Sequence, residues 1–188
     1  LHLFAMRKLG VEIEESYGKL LCTIPQKLKG TKITLTFPSV GATENAILLA
    51  SVARGTTTII NAAREPEIID LCNFLSKCGA KISGAGESVI VIEGVEKLEA
   101  AEHSVICDRI AAATYLFAGA ITGGDVTLKN TVPQHLNSIL PVLEETGCEI
   151  SIKCNEIRLK APLKLRRIDK LITQPYPGFP TDAQAPIM

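Results

Sequence analysis

Phe74-Leu-Ser-Lys-Cys-Gly79-Ala-Lys-Ile82 has two counterparts in the same chain, Phe4-Ala-Met-Arg-Lys-Leu-Gly10-Val-Glu-Ile13 and Val142-Leu-Glu-Glu-Thr-Gly147-Cys-Glu-Ile150. The three glycines lie 69 and 68 residues apart (10 to 79, 79 to 147). So constant a spacing marks a repeated structural unit. Each copy reads as an amphipathic helix stopped by glycine just beyond its last turn, where a left-handed backbone costs glycine little. Two short strands follow: 11–13 with 20–24, 81–83 with 89–92, and 149–152 with 156–159, joined by polar hairpin turns. Ile68, Leu71, Cys72 and Leu75 fall at i, i+3, i+4 and i+7, and so do Leu136, Ile139, Leu140 and Leu143. Pro66 and Pro133 stand where the first residue of each helix belongs, a position that tolerates a missing N–H. Gly84-Ala-Gly86 has the start of a dinucleotide-binding fingerprint, but it joins two strands and opens no helix, so it reads as a hairpin turn.

A second element alternates with the first: strand, turn, a more apolar helix, glycine, strand. Its first instance covers 33–37, the turn Ser39-Val-Gly41, the helix 42–53, Gly55 and 57–60. Its second covers 104–106, Asp108-Arg109, the helix 110–121, Gly123-Gly124 and 126–128; a third begins with 168–173 and reaches Pro180-Thr181-Asp182-Ala-Gln184. The unit is βαβαββ. Helix 110–121 is apolar nearly all round, so it is expected to be enclosed by protein. The expected architecture is therefore α/β with helices packed inward and short sheets outside, not a doubly wound sheet. The expected boundary between two lobes lies at 106, giving 1–106 and 107–188.

Composition narrows the function classes. Twenty basic residues balance twenty acidic ones, so no global field favours nucleic acid or an anionic membrane surface, and neither is expected as a partner. The apolar helix falls short of the ~20 residues that span a bilayer. The opening Leu1-His2-Leu3-Phe4 lacks the features of a secretory signal, and a cytoplasmic location is expected. The six cysteines form no CxxC pair and the three histidines are scattered, so zinc-site spacing is absent. Buried free thiols are expected, and His103 and His135 read as surface or capping groups.

Ser39-Val-Gly-Ala-Thr-Glu-Asn45, Ala63-Arg-Glu-Pro-Glu-Ile68, Cys107-Asp-Arg-Ile110 and Pro175-Tyr-Pro-Gly-Phe-Pro-Thr-Asp-Ala-Gln-Ala185 resemble, in order and spacing, the signatures of the UDP-N-acetylglucosamine enolpyruvyl transferases of the EPSP synthase family. The resemblance covers essentially the whole chain. It implies inside-out α/β lobes of three related units each, with a cleft between them. It also implies a reaction: the enolpyruvyl group of phosphoenolpyruvate passes to the 3′-hydroxyl of UDP-N-acetylglucosamine through a tetrahedral intermediate, and phosphate leaves. No metal or organic cofactor is expected. The same resemblance implies that this chain is an internal fragment. Leu1 matches the last residue of an Arg-Pro-x-Asp-Leu run that follows the family's reactive-cysteine loop, and none of the six cysteines here matches the reactive position.

The candidate site residues follow residue by residue. Thr181-Asp-Ala-Gln184 has the form of a capping box, which would set Asp182 in the first turn of a helix, near the positive end of its dipole. There the residue reads either as a helix-stabilising carboxylate or as a base, and the resemblance makes Asp182 the general base that takes the sugar hydroxyl proton. Phe37, Pro38, Ser39, Val40 and Gly41 run from a strand to a helix N-terminus, whose unpaired N–H groups suit an anionic ligand. Ser39 reads equally as a simple N-cap. The resemblance assigns that stretch to the uridine diphosphate, with Phe37 where many relatives carry lysine. It further puts Leu1 and Thr181 beside substrate and Glu65 and Arg109 near the cleft. Two rivals share the fold: an enolpyruvylshikimate-phosphate synthase-like enzyme, and a non-catalytic paralogue acting as an interaction module.

Overall fold

The computed structural model describes residues 1–188 and divides into two compact units, Leu1–Val105 and Ile106–Met188. The first contains α1 (His2–Leu9), the hairpin of β1 (Glu12–Ser16) and β2 (Lys19–Thr23), then β3 (Lys32–Thr34), α2 (Val40–Ala50), β4 (Thr56–Ile60), α3 (Pro66–Lys77), β5 (Lys81–Ser83) and β6 (Val89–Glu93). From β3 to β6 this is one whole βαβαββ unit. Its sheet has the order β3-β4-β6-β5, with β3 and β4 parallel and the other pairs antiparallel. The second unit contains α4 (Arg109–Ile121), β7 (Asp125–Leu128), a 3-10 turn (Pro133–Leu136), α5 (Leu140–Glu145), β8 (Glu149–Lys153), β9 (Glu156–Lys160), a second 3-10 turn (Thr181–Ala183) and α6 (Gln184–Ile187). Its sheet is antiparallel, β7-β9-β8.

The three repeated glycines end their helices in one way. Gly10, Gly79 and Gly147 have φ of 105°, 98° and 94°, a region closed to most side chains. In each case the next residue's N–H reaches back five positions: Val11 to Met6 O, Ala80 to Leu75 O and Cys148 to Leu143 O, at 3.1, 2.9 and 3.2 Å. That bond defines the Schellman stop, and the residue making it is buried each time. One further bond repeats. The last helix-end carbonyl before each glycine, of Leu9, Cys78 and Thr146, accepts the N–H of Lys29, Glu99 and Arg166 respectively, after the hairpin has been traversed.

The first core lies between α2 and its sheet. Ile33, Ile59, Ile90 and Ile92 are fully buried on the sheet's inner face, against Ala42, Ala46, Ile47 and Ala50 of α2. Each such isoleucine contributes roughly 1.5–3 kcal/mol through burial. Small residues on α2 let it approach both α1 and α3, which pack on it. Thr57 shares the inner face of β4 with Ile59, is fully buried, and its Oγ1 finds no hydrogen-bond partner. An unsatisfied buried hydroxyl costs about 1–3 kcal/mol. Thr57→Val is therefore expected to raise the urea midpoint, equivalent to about 1 kcal/mol. A lowered midpoint would show that the hydroxyl is satisfied.

Four expectations from sequence are corrected. Residues 104–106 form no strand. Their counterpart β3 is held by parallel pairing to β4, whereas β7 is paired only on its β9 side, so 104–106 have no ladder partner. The amphipathic stretch beginning at Pro133 is not one helix but a 3-10 turn followed by α5. Pro141 explains the break, because it lacks an N–H and its ring would strike the carbonyl four residues earlier. Leu136, Ile139, Leu140 and Leu143 are buried nonetheless. Third, α4 is not enclosed: Ala111, Thr114, Tyr115, Ala118 and Ile121 are exposed. Whereas α1 and α3 both pack on α2, α4 has beside it the 3-10 turn Pro133–Leu136 and the last residues of this chain, in α6. Finally, His103 is no surface group. Its Nε2 lies 2.9 Å from Asp70 Oδ1, its ring tilts against Phe74, and both partners of the pair are largely buried.

Candidate functional site

In the first unit, Ser39 takes the extended conformation (φ −82°, ψ 123°) that turns the chain into α2, and its Oγ accepts the N–H of Ala42 at 3.4 Å. Val40 and Gly41 head the helix, where no preceding turn supplies a carbonyl to their N–H groups. Phe37 and Pro38 lead into the turn; the Phe37 side chain is 55% exposed and its carbonyl accepts Ser39 N–H at 2.8 Å. Thus 37–41 presents backbone donors at the positive end of an 11-residue helix.

Thr43 binds this turn to a second motif. Its Oγ1 donates to Ser39 O at 2.8 Å and accepts the N–H of Ala63 at 3.0 Å, and the residue is fully buried. The hydroxyl therefore ties the head of α2 to the segment carrying Arg64 and Glu65. Glu65 precedes Pro66 in the extended conformation that proline imposes (φ −56°, ψ 148°). Its side chain is buried, and Oε2 accepts the N–H of Arg64 at 2.9 Å. Leu1 stands at the head of α1, which packs along α2. Thr43 escaped the sequence reading because a threonine inside a helix ordinarily bonds its own preceding turn. Only the tertiary contact to Ala63 shows its second role.

In the second unit, Asp108 caps α4 by accepting the N–H groups of Ile110 and Ala111 at 2.8 and 3.0 Å. Arg109 follows, buried to 8% exposure, with its guanidinium 5.7 Å from the centre of the Tyr176 ring. Tyr176 belongs to the loop that leads to Asp182, and the cis bond Tyr176–Pro177 and a backbone bond from Gln174 N–H to Phe179 O at 2.9 Å shape that loop. Phe179 and Ala183 are anchored in the second core, while Thr181 and Asp182 between them are exposed.

The expected capping box is absent. Pro180, not Thr181, occupies the cap position with extended geometry (φ −72°, ψ 140°); Thr181 already lies inside the turn, and no side chain caps it. The turn closes instead through Ala183 N–H to Pro180 O at 3.1 Å, a 3-10 bond. Asp182 remains in the first turn, of a 3-10 segment that leads directly into α6.

The cysteines divide. Cys72, Cys78 and Cys148 are buried as expected, Cys107 is partly buried, and Cys22 and Cys154 are exposed, correcting the expectation of burial for all six. Burial pushes the Cys72 thiol up to about 11, so at neutral pH it is not a nucleophile. No helix is long and apolar enough to cross a membrane.

Fold and site together define an α/β protein of repeated βαβαββ units with a donor-lined turn at the head of its inner helix. The chain belongs to the EPSP synthase (3-phosphoshikimate 1-carboxyvinyltransferase) family, whose model matches residues 1–188. It is 50% identical over 188 residues to UDP-N-acetylglucosamine 1-carboxyvinyltransferase 2 of Caldanaerobacter subterraneus subsp. tengcongensis, covering 100% of this chain and 45% of that one. It is also 50% identical over 190 residues to the UDP-N-acetylglucosamine 1-carboxyvinyltransferase of Finegoldia magna, with the same coverage. The chain thus spans less than half the length of these curated relatives. Among solved structures, the enolpyruvyl transferase NikO from Streptomyces tendae matches with a TM-score of 0.82 at 26% identity, over 98% of this chain and 47% of that one. EPSP synthase from Acinetobacter baumannii matches with a TM-score of 0.62 at 23% identity, over 83% of this chain and 38% of that one, a likeness of fold.

Proposed function

We propose that the protein to which this chain belongs transfers the enolpyruvyl group of phosphoenolpyruvate to the 3′-hydroxyl of UDP-N-acetylglucosamine, the first committed step of peptidoglycan synthesis. The carrying observation is 50% identity along the entire chain to enzymes bearing the name of that activity. The shikimate branch shares the fold at much lower identity, which favours the nucleotide sugar as acceptor. Leu1–Val105 is then the end of the first lobe and Ile106–Met188 the start of the second, and the working location is the cytoplasm.

In this reading the turn 37–41 takes the diphosphate on its backbone N–H groups, with Phe37 and Pro38 beside it and Leu1 near the uridine. Glu65, Arg109 and Thr181 are further substrate-binding residues. Asp182 accepts the proton of the 3′-hydroxyl as its oxygen bonds to C2 of phosphoenolpyruvate, and the C2=C3 electron pair takes up a proton so that C3 becomes a methyl group. The tetrahedral adduct then loses one methyl proton and expels phosphate, which restores the double bond as an enol ether. An exposed carboxylate with no capping duty is free to accept a proton, which supports the role even without the capping box.

The test is phosphate release by the full-length protein from phosphoenolpyruvate with each acceptor. UDP-N-acetylglucosamine is expected to support turnover and shikimate 3-phosphate is not; the reverse would overturn the assignment. The 188-residue chain alone is expected to release no phosphate, since the family's reactive-cysteine loop and phosphoenolpyruvate-binding lysine and asparagine lie outside it. Loss of each such electrostatic group commonly costs about 3–4 kcal/mol.

A further inference from the structure

Gly41 is a glycine for a reason other than backbone freedom. It lies in the first turn of α2, where glycine is a poorer helix former than alanine, and its φ is not in the left-handed region. A Cβ built there would lie 2.6 Å from Cε1 and 3.3 Å from Nε2 of His2, so the imidazole rests directly on the Gly41 backbone. One helical turn later, on the same face, Asn45 Nδ2 lies 2.8 Å from His2 Nδ1. The amide donates to Nδ1, which leaves the neutral ring's proton on Nε2, beside Gly41. Gly41 and Asn45 thus form a notch on α2, and the ring from the first residue of α1 fills it.

We propose that His2, held by Asn45, is a positioning residue for the turn 39–41 and that this brace sets the affinity of the turn for the diphosphate of the nucleotide sugar. The inference rests on the function proposed above. The turn's donors act only if their backbone is fixed before the ligand arrives, because ordering it on binding subtracts from affinity. Ser39 Oγ and Thr43 Oγ1 fix the turn from within α2 and from the 63–65 segment. The His2 ring fixes it from α1, which packs along α2.

The test is UDP-N-acetylglucosamine affinity by calorimetry on the full-length protein, with steady-state kinetics and thermal midpoints for each variant. His2→Ala is expected to raise the dissociation constant about tenfold, with the loss falling mainly on KM, and Asn45→Ala to do the same more weakly. Gly41→Ala is expected to weaken binding in the parent by displacing the ring, and to weaken it no further in the His2→Ala background. The same methyl should lower the thermal midpoint of the parent but raise that of His2→Ala, where alanine only improves the helix. An equal Gly41→Ala loss in both backgrounds would overturn the inference, since the methyl would then be blocking the ligand rather than the imidazole. Parent-like affinity in both His2→Ala and Asn45→Ala would overturn it too. Should His2→Ala fail to fold, Asn45→Ala combined with Gly41→Ala carries the same comparison. A parent that does not bind the nucleotide sugar instead defeats the proposed function and takes the affinity claim down with it, while the thermal coupling of positions 2 and 41 still reports whether the brace exists.

Discussion

Asp182→Asn in the full-length protein is expected to lower kcat about 10²- to 10⁴-fold while UDP-N-acetylglucosamine affinity stays within a few fold. The amide keeps the size and most of the hydrogen-bonding shape of the carboxylate but cannot accept a proton. An interaction needed mainly in the transition state is lost while ground-state binding survives. Structure sharpens the expectation in one respect. The side chain is exposed and caps nothing, and Ala183 beside it, not Asp182, anchors the turn in the core. The substitution should therefore leave the thermal midpoint unchanged, so a drop in turnover reports chemistry and not unfolding. Calorimetry beside steady-state kinetics decides the matter. Collapsed affinity with near-parental kcat would make Asp182 a sugar-binding residue and end the general-base proposal.

The largest stability effect is expected from Gly94→Ala. A Cβ at Gly94 would collide with the carbonyl oxygen of Ala53 and stand 3.1 Å from that of Ala50. Both are backbone atoms just past or at the end of α2, and neither can swing away as a side chain would. Two hydrogen bonds hold the chain there, Gly94 N–H to Gly55 O at 3.0 Å and Val95 N–H to Ser51 O at 2.9 Å. Relief requires breaking one or both, so the cost should reach or exceed the upper end of the ~1–3 kcal/mol typical of overpacking. Urea unfolding of the chain measures it. Gly55→Ala is the internal control: its φ of 88° makes alanine strained, but open space surrounds the site, and a smaller loss is expected. Equal losses at the two positions would mean that the close approach relaxes cheaply.

The repeat was legible because it is written in residues with few substitutes. Glycines 10, 79 and 147 must sit at positive φ, and the apolar spacing of 68–75 matches the buried face of α3. What escaped depends on contacts distant in sequence. The 133–145 stretch has the right period for one helix, and its leucines are indeed buried, but Pro141 outweighs the pattern at the backbone. Thr181-x-x-Gln184 matches a capping box by letter, yet Pro180 already has the required extended geometry and takes the position. Within the candidate site, Ser39, Gly41 and Glu65 were found through motifs. Thr43 and His2 were not, because a hydroxyl inside a helix and a histidine at the head of one carry no local signal. Their roles come from Ala63, Asn45 and Gly41, 20, 43 and 39 residues away. His103 was misread for the same reason, its partner Asp70 being 33 residues earlier.

The bond that returns to each helix end after its hairpin bears on how such a chain tolerates change. Leu9, Cys78 and Thr146 are joined to amides 20, 21 and 20 residues further on (9 to 29, 78 to 99, 146 to 166), and each hairpin lies wholly inside that loop. The entrance and exit of the hairpin are therefore pinned to the same point. The connection is five residues long at 84–88 and two residues long at 17–18 and 154–155, yet the pin is the same in all three. A change of length at such a tip is therefore expected to leave the register of the following repeat unchanged.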